Sequence, residues 1–215
     1  MSYLDIKLSV IIPAYNMESL IERALKSVPA RDDIEVIVID DGSSDDTWNK
    51  ILMTRAETDN QNMVCLYNKE NRGVSYTVNR GLDVASGEYV VLLGSDDYFY
   101  TDELEKAINQ LDGTDLIYFN LQVNCGEILR LTQKTKQGLC GSTKFMRREF
   151  IGDTRNPEDK RQGEDWFFFQ DLMKKNPSEK FTDITLKHYN YPRKGSLTDM
   201  ARRGIKSGTK MEDET

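Results

Sequence analysis

Two pairs of adjacent aspartates stand out as residues that could do chemistry. Asp40 closes the run "IEVIVID" and Asp41 follows it, and Asp96 and Asp97 follow "VVLLGS", 56 residues further on. Neighbouring like charges repel, so each pair calls for a compensating group. A hard divalent cation, Mg2+ or Mn2+, answers at Asp96 and Asp97, because it prefers carboxylate and phosphate oxygens and keeps coordination positions for a ligand. Such a cation would also neutralise charge on a departing diphosphate. At Asp40 and Asp41 the acceptor oxygens suit the N–H and O–H groups of a nucleotide base or ribose. The plain alternative for each pair is an acidic turn that caps the following helix.

Other candidates have the same two sides. Tyr15 could stack on a base or simply pack. Arg72 and Arg80 could contact phosphates or be surface charges, and Gly73 would allow close backbone approach or a positive φ. Glu164 and Asp165 complement a helix dipole by default. Beside the aromatic Trp166, such a carboxylate could instead be partly desolvated and serve as a general base. The run "WFFF" reads as core. His188 is the only histidine, and a lone histidine is more often structural than metal-ligating. Arg193, Lys194 and Ser196, in "YPRKGSLT", form either a surface loop or a lid that grips a diphosphate.

The elements that must position these residues follow one grammar over the first hundred positions. "LSVIIPAYN", "IEVIVID", "MVCLY" and "EYVVLL" read as strands, from their β-branched and apolar content. Between them lie helical segments: "ESLIERALKSV", a segment from Asp45 to about Thr58, and one from Asn71–Gly73 to about Ala85. Strand and helix alternating with short connections predict an α/β fold, a mostly parallel sheet covered on both faces. Ligands of such sheets bind beyond the carboxyl ends of the strands. Tyr15, Asp40–Asp41 and Asp96–Asp97 all fall there, so three segments point polar groups at one rim. After Tyr100 the pattern changes. "DELEKAINQL", "STKFMRREF" and "EDWFFFQDLMKK" read as helices. "DLIYFNLQV" and "EILRLTQ" read as a hairpin, "FTDITLKHYNY" as a last strand, and 152–163 as a loop.

Bulk properties set limits. The chain has 215 residues, 38% hydrophobic and 30% charged, enough for one domain with a sizeable core. The formal charge of −7 opposes non-specific binding to nucleic acid or anionic lipid. Three cysteines, Cys65, Cys125 and Cys140, are widely spaced and suggest neither a zinc site nor a disulfide framework; Cys65 reads as buried. No apolar run approaches the roughly 18 residues of a membrane span, and residues 1–7 lack a signal-peptide pattern. A cytoplasmic protein is expected, with peripheral membrane contact through an acceptor or partner.

The motifs "VIVIDDGSSDDT", "NRGVSYTVNRGLDVASGEYVVLLGSDD", "CGSTKFMRREFI" and "GEDWFF", in that order, resemble family 2 of the inverting glycosyltransferases, with the GT-A (nucleotide-diphospho-sugar transferase) fold. The resemblance runs from "LSVIIPAYN" to "HYNYPRKGSLT", so a catalytic domain over 1–203 and a flexible tail over 204–215 are expected. It implies a nucleotide-sugar donor, usually UDP-linked, a saccharide or lipid-linked acceptor, and Mg2+ or Mn2+. By resemblance, Tyr15 and Asp41 would bind the base, with Asp40 nearby, and Arg72 and Asn79 would line the donor pocket; Arg193 joins the nucleotide-sugar site from the lid reading above. Asp96 would contact ribose or metal. Asp97 would be the principal metal ligand, with Asp96 and His188 as further candidates, and Asp165 the catalytic base. One departure is that Gly94 sits where the family often has the first Asp of Asp-x-Asp-Asp, which puts a sugar or ribose contact in doubt. Two other readings compete: a catalytically degenerate nucleotide-sugar-binding or interaction protein, and a phosphotransfer or receiver domain. The latter would place acids after the first strand, where Pro13-Ala14-Tyr15-Asn16 stands.

Overall fold

A computed structural model describes residues 5–136, 143–160, 163–191 and 193. Four parallel strands form half of the sheet: β1 (Leu8–Ala14), β2 (Ile34–Asp40), β3 (Met63–Tyr67) and β4 (Tyr89–Leu92). The helices α1 (Ile21–Lys26), α2 (Thr47–Thr58) and α3 (Val74–Val84) connect them. β2 is buried along its whole length, as its continuous apolar run requires of a strand covered on both faces.

The second half of the chain extends the same sheet. A two-residue strand, β5 (Tyr98–Phe99), precedes α4 (Thr101–Ile108), β6 (Leu116–Val123) and the short β7 (Ile128–Leu129). Next come β8 (Lys144–Arg147), α5 (Arg148–Ile151), α6 (Glu164–Met173) and β9 (Glu179–Tyr189). The sheet order is β3-β2-β1-β4-β8-β6-β9-β5, with β7 paired to β6. β8 runs antiparallel to both β4 and β6, so β6 and its parallel neighbour β9 point the same way as β1 to β4. The far end of β9 therefore arrives at the rim where β1, β2 and β4 end.

Two expectations need correction, and one strand is new. "STKFMRREF" is not a helix: Lys144–Arg147 is a strand, followed by one helical turn. Pairing on both sides and burial of Phe145 and Met146 outweigh the weak local preference for helix. The hairpin arm expected over "EILRLTQ" shrinks to two residues, and β5 was not anticipated. The expected tail from 204, together with Cys140, Lys194 and Ser196, lies outside the described residues.

Alternation of side chains along each strand builds two apolar layers. Val10, Ile12, Val36 and Val38 meet Ile21, Leu25, Ile51 and Leu104 of α1, α2 and α4 on one face. Ile11, Ile37, Ile39, Val90 and Tyr118 meet Val78 and Leu82 of α3, and Phe168, Phe169 and Leu172 of α6, on the other.

Candidate active site

The ends of β1 and β2 are bolted together. The Asp41 N–H donates to the Ala14 carbonyl at 2.8 Å. Asn16, at φ 52°, gives its N–H to Ser43 Oγ and accepts the Ser44 N–H, both at 2.9 Å. Asn is among the few non-glycine residues that tolerate this left-handed conformation. Tyr15 is 43% exposed on this rim.

Asp40 points inward and is fully buried. Its Oδ1 accepts the Ser43 N–H at 3.0 Å and the Ser43 hydroxyl at 2.5 Å, so the carboxylate closes its own turn. Its Oδ2 is buried with no partner among the described residues, and burial pushes the pKa up.

Asp41 is a clamp in this structure. Its Oδ1 accepts from Asn68 Nδ2 at 2.7 Å and the Arg72 N–H at 3.0 Å; its Oδ2 accepts the Gly73 N–H at 2.8 Å. A carboxylate in this place complements the positive end of α3. Gly73, at φ 90°, supplies a backbone shape that a side chain would strain. The Arg72 guanidinium lies over the Tyr76 ring at 4.3 Å. Arg80 donates to the Tyr67 carbonyl at 3.2 Å and to the Asn68 side chain.

Asn79, buried on α3, fastens the following loop. Its Nδ2 donates to the Asn156 carbonyl at 3.0 Å and to Glu158 Oε1 at 3.2 Å, and its Oδ1 accepts the Asn156 N–H at 2.8 Å. This loop leads to α6. Asp41 thus holds the start of α3, and α3 holds the segment that precedes Asp165.

Asp165 is partly buried in the first turn of α6, and its Oδ1 accepts the Trp166 N–H at 2.9 Å. Beside it, burial pushes the Glu164 carboxyl up. Only part of "WFFF" is core: Phe168 and Phe169 are buried, whereas Trp166 is 44% and Phe167 41% exposed. Their rings meet edge to face at 5.2 Å. A helix lying on a sheet buries one stripe, and Phe168, Phe169 and Leu172 form it.

Asp96 and Asp97 occupy a tight turn beyond β4, with the Asp97 N–H on the Gly94 carbonyl at 2.9 Å. Both carboxylates already have cations. Lys187 Nζ lies 2.6 Å from Asp97 Oδ2, and each of the two side chains is only 2% exposed. Asp97 Oδ1 accepts the Asn190 N–H at 2.9 Å. Asp96 Oδ2 accepts from Arg193 Nε at 2.7 Å, and its backbone carbonyl accepts from Arg23 Nη2 at 2.8 Å. A Cβ on Gly94 would stand 2.9 Å from Asp96 Oδ1 and 3.1 Å from Asp97 Oδ2. The missing Asp therefore leaves the space these two carboxylates occupy.

Strand alternation separates His188 from Lys187. His188 stacks on Tyr98 with ring centroids 4.8 Å apart, its Nε2 is 2.8 Å from Asn124 Oδ1 and its Nδ1 is 3.5 Å from the Tyr100 hydroxyl. Burial and the nearby Arg23 push its pKa down. Among the described residues no three His, Cys, Asp or Glu side chains gather as a cation site. With both Asp97 oxygens engaged, the arrangement does not fit a divalent ion at Asp97.

The rim thus brings together Tyr15, Asp40, Asp41, Asp96, Asp97 and Arg193. The Arg72 guanidinium rests on Tyr76 of α3 and Asn79 ties the loop at Asn156, while His188, paired to Tyr98, lies beside the Asp96–Asp97 turn on the other face of β9 from Lys187. Sequence reasoning missed Lys187, Asn190, Asn68 and Arg23. The one signal for Lys187 is a lone cation in the apolar stretch "ITLKHYNY".

Comparison with known proteins now has a geometry to attach to. Residues 9–173 match the family described as Glycosyl transferase family 2. The chain is 42% identical over 106 residues to a Campylobacter jejuni GalNAc(5)-diNAcBac-PP-undecaprenol beta-1,3-glucosyltransferase, covering 48% of this chain and 34% of that protein. It is 33% identical over 117 residues to the Escherichia coli UDP-Glc:alpha-D-GlcNAc-diphosphoundecaprenol beta-1,3-glucosyltransferase WfaP, covering 52% and 43%. These alignments span less than half of either relative. The fold is similar to that of S. aureus TarS 1-349 in complex with UDP-GlcNAc (TM-score 0.78, 24% identity, 90% of this chain and 61% of that one). It is also similar to the Pyrobaculum calidifontis mannosyltransferase PcManGT in complex with GDP-Man and Mn2+ (TM-score 0.72, 21% identity, 92% and 60%). With three quarters of its length matched by the family description and the GT-A arrangement of its sheet, this chain belongs to glycosyl transferase family 2.

Proposed function

We propose that this chain transfers a hexosyl group from a nucleoside-diphosphate sugar, a UDP-sugar in the simplest case, to an acceptor hydroxyl with inversion at the anomeric carbon. The observation that carries this reading is the single rim: β1, β2, β4 and β9 all end there, and the Asp41–α3–Asn79 ties support the segment leading to Asp165. In this reading Tyr15 stacks on the base and the Asp40–Asp41 turn borders it. The terminal amino groups of Arg193, whose Nε holds Asp96, face the diphosphate. The Asp165 carboxylate takes the proton from the acceptor hydroxyl. That oxygen bonds to the anomeric carbon as the bond to the diphosphate breaks on the opposite side, and the electron pair leaves with the diphosphate.

A metal bound at Asp96 and Asp97 would act as a Lewis acid toward that diphosphate. The ion pairs at both residues do not fit it, and no step here rests on it. The undecaprenol-linked saccharides in the names of two relatives support a saccharide or lipid-linked acceptor. Transfer would then take place at the inner face of a membrane. No described helix is long and apolar enough to cross one. Polysaccharide assembly is the matching class of pathway.

The test is Asp165→Asn, with release of UDP from a set of UDP-sugars as the readout. Loss of a general base lowers the rate by about 10²–10⁴-fold while UDP still binds. Near-normal release by a folded variant would remove Asp165 from this role.

A further inference from the structure

Resting on the donor reading above, we infer that Lys187 stands where a divalent cation would bind, and that this chain takes up its nucleotide without one. Lys187 reaches Asp97 from 90 positions away along the chain. The contact exists because β9 runs parallel to β6 and delivers its end to the rim. The pair is sequestered: Nζ sits 2.6 Å from Oδ2, and each side chain is 2% exposed. The Asn190 N–H takes the other carboxylate oxygen. An ion bound to Oδ2 would meet an ammonium already in contact with that oxygen.

Among the described residues, the surroundings add no further ligands for a metal. Mg2+ and Mn2+ need several oxygen ligands in a near-octahedral shell. Asp96 is drawn off by Arg193, and His188 is engaged by Asn124 and Tyr100. A third carboxylate at position 94 is excluded by the approach of Asp96 Oδ1 and Asp97 Oδ2 to Gly94. Lys187 and Arg193 pair the two carboxylates, and Arg23 adds a third cation on the Asp96 carbonyl, so no uncompensated negative charge is left here to draw a metal. Asp97 is then a positioning residue for Lys187 and for the Asn190 backbone. The charge that faces the diphosphate comes from Arg193, which is only partly buried and whose guanidinium offers several donors in a fixed fork.

The experiment uses the full chain, stripped with EDTA, with UDP and Mn2+ as probes. Calorimetry measures UDP binding with and without Mn2+, and the electron paramagnetic resonance signal of free Mn2+ measures metal uptake. The inference expects UDP affinity to agree within about threefold in EDTA and in Mn2+, and expects no Mn2+ uptake by the protein alone. A loss of UDP affinity of about tenfold or more in EDTA, restored by Mn2+, would overturn it. If UDP fails to bind under either condition, the donor reading fails, and the Mn2+ titration still decides this inference: no uptake supports it, and uptake overturns it. Lys187→Met extends the test. It frees the Asp97 carboxylate, and a folded variant should take up Mn2+ where the native chain does not. A folded variant with no gain in Mn2+ uptake would count against Lys187 as the occupant.

Discussion

Replacing Gly94 with alanine sets two opposed effects against each other. Gly94 is absent from the positive-φ glycines, so an alanine there meets no backbone penalty. On chain entropy alone, Gly→Ala at such a site stabilises by about 0.4–1 kcal/mol. Packing acts the other way. The new Cβ would stand 2.9 Å from Asp96 Oδ1, 3.1 Å from Asp97 Oδ2 and 3.4 Å from Asp97 Cγ. Asp97 has little freedom to yield, because Lys187 and the Asn190 N–H hold both its oxygens. Asp96 can turn only by disturbing Arg193. Overpacking of this kind costs about 1–3 kcal/mol, so packing wins and the net loss is about 1 kcal/mol. For a domain of this size that lowers Tm by roughly 2–4 °C. Urea unfolding should show a lower midpoint with an unchanged m-value. Gly94→Asp, which restores the more usual family residue, should lose more, because it adds a third carboxylate to two already in place. An unchanged or raised midpoint for Gly94→Ala would refute the claim that this glycine exists to admit the two aspartates.

Two further outcomes follow from the geometry. Glu164 has a pKa raised by burial, so the folded state binds its proton more tightly than the unfolded state does. Its contribution to stability is therefore present below the ordinary carboxylate range and is lost as pH rises through the raised value; Glu164→Gln should remove that part of the decline when unfolding free energies are followed upward from below the ordinary carboxylate range. On α3, a Cβ at Gly81 would lie 2.5 Å from Ile11 Cγ2 and 3.2 Å from Ile39 Cδ1, so Gly81→Ala should push the helix off the sheet and cost about 1–3 kcal/mol by urea unfolding.

Much of this protein is legible one residue at a time. The strand-helix alternation to β4 is readable because β-branched runs and helical spacing are local signals, and because a parallel sheet buried on both faces leaves nearly continuous apolar strands. The rim follows from the same grammar: Tyr15, Asp40–Asp41 and Asp96–Asp97 stand at strand ends, and parallel strands put their ends on one side. The order of the motifs was enough to suggest the family.

What each rim residue touches is a different matter, because partners come from distant parts of the chain. Asp41 looks like a ligand acceptor in sequence, yet its oxygens are filled by Asn68, Arg72 and Gly73. "STKFMRREF" lacks a decisive local period, and only the gap between β4 and β6 makes Lys144–Arg147 a strand. "WFFF" is uniformly apolar, and only the packing of α6 on the sheet decides which two rings are buried. The reach from Lys187 to Asp97 is the clearest case. The sequence alone placed two aspartates just beyond a central strand, with a cation site and an acidic capping turn as the two readings. Tertiary structure decided which cation, because the parallel course of β9 carries a lysine ammonium into a buried contact that charge balance then holds.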